Sequence, residues 1–204
     1  MKPTNNRTLK SLALLALILI SGFIILSVLV HITNPGINPV RFSLSRYSHT
    51  PDGYLLSAGL SMVGLAEFII GMLLNYEKGI RQKWISILLF IMGITAFITA
   101  ILPMDIEPAR TIPGTIHIYA AGAQFVLFPV CALIYGYKHK GLGLRVFSTY
   151  MGIAAIIILP FISFTVFTEN PLLMPFYGLL QKIYIYMIVS WLGVIASIRI
   201  SIRK

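Results

Sequence analysis

The residues of this chain that could do chemistry are few, and they lie in three places. "PMDIEPARTIPGTIHIYAAGAQF" sets Asp105, Glu107, Arg110 and His117 within thirteen residues, among three prolines. Glu67 stands alone in "GLSMVGLAEFIIGMLL", and "GLLQKIYIYMIVSW" carries Gln181 and Lys182. A carboxylate, an imidazole and an ammonium within reach of one another can hold a ligand, pass a proton, or neutralise each other as a structural clamp. An acid isolated among aliphatic side chains is costly unless it is hydrogen-bonded, paired or protonated.

More specific chemistry finds no support. There is no Gly-rich phosphate loop and no Ser–His nucleophile pattern. A single cysteine, Cys131, rules out an intrachain disulfide and paired-thiol redox chemistry. His31, His49 and His117 together with Asp105 lack a ligand spacing of the His-x-x-x-His kind, so no metal site is assigned. A bis-histidine haem between the first and fourth spans would rest on residue count alone. No cofactor is expected, and the enzyme question leans towards no.

These residues must be positioned by very apolar elements. The chain has 204 residues, 57% hydrophobic and 11% charged, with a mean hydropathy of +0.88. An ordinary soluble domain carries about 25% charged residues. Six apolar segments, at roughly 11–31, 54–75, 85–102, 114–136, 146–168 and 176–198, approach the ~20 residues that cross a bilayer as a helix. The expected fold is all-α: one polytopic membrane domain over residues 1–204, a bundle of six transmembrane helices. The first segment reads as an uncleaved signal anchor, because "LSVLVHITNPG" has no small-x-small cleavage pattern.

Charge sets the expected orientation. With the N-terminus inside, the inner segments hold twelve Lys and Arg residues: Lys2, Arg7, Lys10, Lys78, Arg81, Lys83, Lys138, Lys140, Arg145, Arg199, Arg203 and Lys204. The outer segments hold three: Arg41, Arg46 and Arg110. Both termini are therefore expected in the cytoplasm of a cell-membrane protein, an N-in/C-in topology. The net charge of +10 suits anionic lipid headgroups at the cytoplasmic face rather than nucleic acid.

Within this frame the polar residues fall at definite depths. Gly114, His117, Ala121 and Gln124 share one face of the fourth span, and Ser57, Ser61, Gly64, Glu67 and Gly71 share one face of the second. Small residues interspersed with polar ones mark faces packed on other helices. At ~1.5 Å per residue Glu67 lies roughly 20 Å below Tyr54, in the inner half of the membrane. Lys182 lies about two turns from the outer end of the last span, nearer in depth to Asp105 and His117. An outer cluster of Asp105, His117 and Lys182 is expected beneath the first outer loop, with Arg46, Tyr47, His49, Gln124 and Gln181 as helpers. A Glu67–Lys182 ion pair is out of register. Trp84, Tyr135, Tyr137, Phe176 and Tyr177 read as interfacial belts.

"LSRYSHTPDGYLLSAGLSMVGLAEFIIGMLL", "ILPMDIEP" followed by "HIYAAGAQFVLFP", and "GLLQKIYIYMIVSWLGVIA" resemble the domain-of-unknown-function family 998. These are six-span membrane proteins of bacteria and archaea. The likeness covers about residues 43–195, with Pro103, Asp105 and His117 its sharpest element and Lys182 standing where the family often has arginine. It implies a fold and topology but no activity. A looser similarity in layout links the chain to eukaryotic six-span proteins of the damage-regulated autophagy modulator type. The expected function is a non-enzymatic membrane scaffold, accessory subunit or sensor, with a membrane-protein partner. The alternative is a protein that handles a small solute, a lipid, or a proton or cation around Glu67 and the outer cluster.

Overall fold

The computed structural model describes residues 6–76, 80–106, 111–139, 141–168 and 171–201. Glu107, Arg110 and Glu169 lie outside these residues, as do Lys2, Lys78, Lys140, Arg203 and Lys204 of the charge count. Among the described residues six long helices make up the fold: α1 (Asn6–Thr33), α2 (Gly53–Asn75), α3 (Ile80–Ile101), α4 (Ile112–Lys138), α5 (Leu142–Thr168) and α6 (Tyr177–Ser201). A 3-10 helix, Leu44–His49, lies in the α1–α2 connection, and another, Met174–Phe176, leads into α6. Among the described residues there is no strand. All six helices are long and apolar enough to span a membrane. The expected spans are therefore present. Several helices run beyond them, because a helix continues into the headgroup region where hydropathy has already fallen.

Each helix packs on its neighbours in the chain, and α6 returns to α1, closing a ring; α6 also touches α2 and α4. Close approach is set by glycine. Gly64 of α2 and Gly93 of α3 face each other, and a Cβ added to either would stand 2.9 Å from the other's carbonyl oxygen. Small residues let helix backbones approach where no hydrophobic force between helices exists in lipid. The core follows the inner side of α6, where Phe128 of α4 lies edge-on to both Tyr184 and Trp191. Trp191 donates its indole N–H to Ser148 of α5 at 3.0 Å, and the hydroxyls of Ser27 (α1) and Tyr186 (α6) pair at 2.8 Å.

Pro129 lies inside α4. Proline has no N–H, so the carbonyl four residues earlier, that of Phe125, loses its helical partner. Tyr184 of α6 replaces it, donating its hydroxyl to the Phe125 oxygen at 2.6 Å. Tyr184 is fully buried, and its ring lies 4.7 Å from that of Phe125. A break in one helix is thus mended by the side chain of another.

Tyr135 corrects the expected aromatic belts. It is buried, edge-on to Trp191 with centroids 5.8 Å apart, and stacked on His139. Its place near a span end in sequence does not tell which way the helix turns it. Trp84, Tyr137 and Phe176 are exposed on the bundle surface, and Tyr177 is half-buried.

Candidate functional site

The polar residues form two storeys, a cap over one end of the bundle and an interior pair. The cap is built on the α1–α2 connection. Four successive backbone carbonyls, from Pro39 to Phe42, are all taken by α6. The Val40 and Arg41 oxygens accept the backbone N–H groups of Leu179 and Gly178 at 2.9 and 3.3 Å. The first N–H groups of a helix have no partner within it, so the loop caps α6. The Lys182 ammonium donates to the Pro39 and Phe42 oxygens at 2.8 and 2.6 Å and lies 5.8 Å from the Tyr47 ring centre. Gln181 accepts the Leu44 N–H at 2.8 Å. Gly178 is required here, because any Cβ on it would run into the Phe42 backbone.

The same connection is fastened on its other side to α4 and the α3–α4 connection. His117, 4% exposed, donates from Nδ1 to the Leu102 carbonyl at 2.6 Å, and its Nε2 accepts the Ser45 hydroxyl at 3.1 Å. This assignment follows from the carbonyl, which can only accept. His49 donates to the Met104 carbonyl, and Ser43 to the Met104 sulfur at 3.3 Å. Tyr47 has no exposed surface, donates its hydroxyl to Ile37, and lies 4.6 Å from the His31 ring. Burial holds its phenol above its ordinary pKa. Arg46 sits over the Phe42 ring at 5.4 Å.

Asp105 sits at the entry to α4. Its carboxylate accepts the Thr111 hydroxyl at 2.6 Å and the Thr111 N–H at 3.0 Å, while the Thr111 oxygen accepts the Gly114 N–H at 3.1 Å. Thr111 is thus the N-cap of α4, and Asp105 places a negative charge at its positive end. The Thr111 hydroxyl, then the Thr111 N–H, hold the Asp105 carboxyl below its ordinary pKa, with His49 and His117 adding to the effect. A Cβ on Gly114 would overlap this carboxylate, so glycine lets the acid lie against the helix.

These residues therefore share one cap without closing into the expected triad. Asp105 and His117 are close enough to couple electrostatically. No hydrogen bond or ion pair joins Lys182 to either of them among the described residues; backbone carbonyls are its partners. Depth along a helix and its inward face were legible in the sequence, whereas the partner each side chain meets there was not. Among the described residues no group of three or more His, Cys, Asp or Glu is placed to hold a metal ion.

The interior pair lies between α2 and α4. Glu67 has no exposed surface, and its Oε1 accepts from the Gln124 amide at 3.1 Å. Its Oε2 is buried with no hydrogen-bond partner among the described residues. Cys131 and Met92 lie in the same interior, their sulfurs 3.8 Å apart. Gly64 and Gly71, on the same face of α2 as Glu67 in sequence, meet α3, while Glu67 reaches past it to α4.

The family model described as "Protein of unknown function (DUF998)" matches residues 14–198. The chain belongs to this family. The DUF998 match begins within α1 and ends within α6, so it takes in both polar storeys and extends the likeness seen in sequence to the first helix. No curated protein and no solved structure matches the chain significantly. Six apolar helices and DUF998 membership make it a multi-pass membrane protein.

Proposed function

We propose that this protein is a non-enzymatic component of the cell membrane, a scaffold, accessory subunit or sensor, with a rigid, loop-capped outer face. The observation that carries this reading is the destination of the outer polar side chains. Lys182, Gln181, His117 and His49 each bind the backbone or a hydroxyl of the chain's own connections. Groups satisfied in this way position a segment, whereas a substrate site holds polar groups ready for a ligand. The twelve-to-three division of Lys and Arg supports an orientation with both termini in the cytoplasm, where basic connections meet anionic headgroups. A membrane-protein partner would complete the role.

A second reading has one observation in its favour. The unpartnered Glu67 oxygen is a buried polar group of the kind that intramembrane proton or cation pathways use. Proteoliposomes carrying an internal pH dye separate the two. Under an imposed potential, the first reading expects the same proton flux for wild type, Glu67→Gln and protein-free vesicles. A flux present in wild type and lost in Glu67→Gln would overturn it in favour of the second.

A further inference from the structure

On the outside of the bundle, α4 and α5 part to leave an open groove of about 750 Å³. Leu133, Ile134 and Tyr137 form one wall, and Val146, Tyr150 and Ile153 the other. Two glycines let the helices meet beside it. A Cβ on Gly136 would stand 2.6 Å from the Thr149 hydroxyl, and one on Gly152 would stand 2.6 Å from Leu133. The helices therefore touch along these residues, and the larger side chains flank the contact. Arg145, exposed in the first turn of α5, lies at the end of the groove nearest the α4–α5 turn. Ile153 lies roughly 12 Å farther along α5 at ~1.5 Å per residue. That is most of the depth of a ~15 Å hydrocarbon leaflet.

We propose that this groove seats one acyl chain of an anionic phospholipid, with the lipid phosphate on Arg145. The walls are apolar and run along most of a leaflet's depth, and Arg145 stands where a headgroup would lie. From residue 111 to residue 168 the sequence contains no Asp or Glu, and Lys138, the last residue of α4, and Lys140 precede Arg145 by a few positions in the sequence, so the field favours an anion. Arginine meets a phosphate with two parallel hydrogen bonds. A free phosphate would use the arginine but leave the walls unfilled, which is why the occupant is a lipid. This inference is independent of the scaffold reading.

Native mass spectrometry of the detergent-purified protein, with phosphatidylglycerol and phosphatidylcholine of identical chains, tests it. Phosphatidylglycerol is expected to be retained over phosphatidylcholine. Arg145→Gln should weaken that retention about fivefold, the equivalent of about 1 kcal/mol. Ile153→Trp should reduce it by filling the groove, with Val146→Trp as the second variant if the first does not fold. Lys10→Gln, in α1 at the same end of the bundle, should leave it unchanged. Equal retention of the two lipids, an equal loss in Lys10→Gln, or full displacement by millimolar inorganic phosphate would overturn the proposal.

Discussion

Replacing Tyr184 by Phe removes one oxygen and leaves the ring where it is, against Phe125 and Phe128. What is lost is the donor to the Phe125 carbonyl, which Pro129 has already deprived of its helical partner. An orphaned buried carbonyl costs about 1–3 kcal/mol in a soluble protein. Side-chain hydrogen bonds between membrane helices average about 0.6 kcal/mol and reach about 1.7. The upper part of the membrane range applies, because the helix itself offers no substitute donor. A loss of about 1–2 kcal/mol is expected. Pro129→Ala supplies that substitute, since the alanine brings a backbone N–H to the same carbonyl. In that background Tyr184→Phe should cost under about 0.5 kcal/mol, giving a coupling of about 1 kcal/mol in a double-mutant cycle. Unfolding by sodium dodecyl sulfate titration in mixed micelles, followed by circular dichroism, reads all four proteins. Additivity within about 0.3 kcal/mol would refute the reasoning, because Pro129 and Tyr184 would then act independently.

Two further outcomes follow from the cap. Asp105 binds its proton less readily in the folded chain than in the unfolded one. Its contribution to stability is therefore complete above the ordinary value of 3.8 and is lost as pH falls through the lower folded value. Wild type should lose stability over that acidic interval relative to Asp105→Asn, and parallel pH profiles for the two would contradict the assignment. Gly178→Ala should destabilise by roughly 1–3 kcal/mol, because the new methyl displaces the Phe42 backbone from α6; an unchanged denaturation midpoint would show that the close approach is not maintained.

The six helices were legible because hydropathy over a span-length window is a strong signal and the solvent it reports is uniform. The inward placement of Glu67, Gln124 and His117 was legible too, from helical periodicity among small residues. Their partners were not. Gln124 finds Glu67 across α3, which depends on how the helices rotate as they pack. Lys182 finds the carbonyls of Pro39 and Phe42, and a carbonyl carries no mark in the sequence because every residue has one. The expected ammonium–carboxylate contact was a guess from charge, and the loop backbone met the same need at the same depth. Tyr135 was misjudged for a similar reason, since a tyrosine near a span end can turn to the lipid or to the core.

The central claim is that the polar side chains of the cap hold the α1–α2 connection in place. Hydrogen–deuterium exchange of peptides covering residues 38–50, in detergent-purified wild type and Lys182→Met, tests it most directly. The backbone N–H groups of Phe42, Leu44, Arg46 and Thr50 are bonded within the cap. Slow exchange is expected in wild type, with a rise of about tenfold or more in Lys182→Met, where two carbonyls lose their donor, for about 1–2 kcal/mol of lost local stability. Exchange in wild type as fast as that of an unstructured chain, or equal protection in both proteins, would contradict the account.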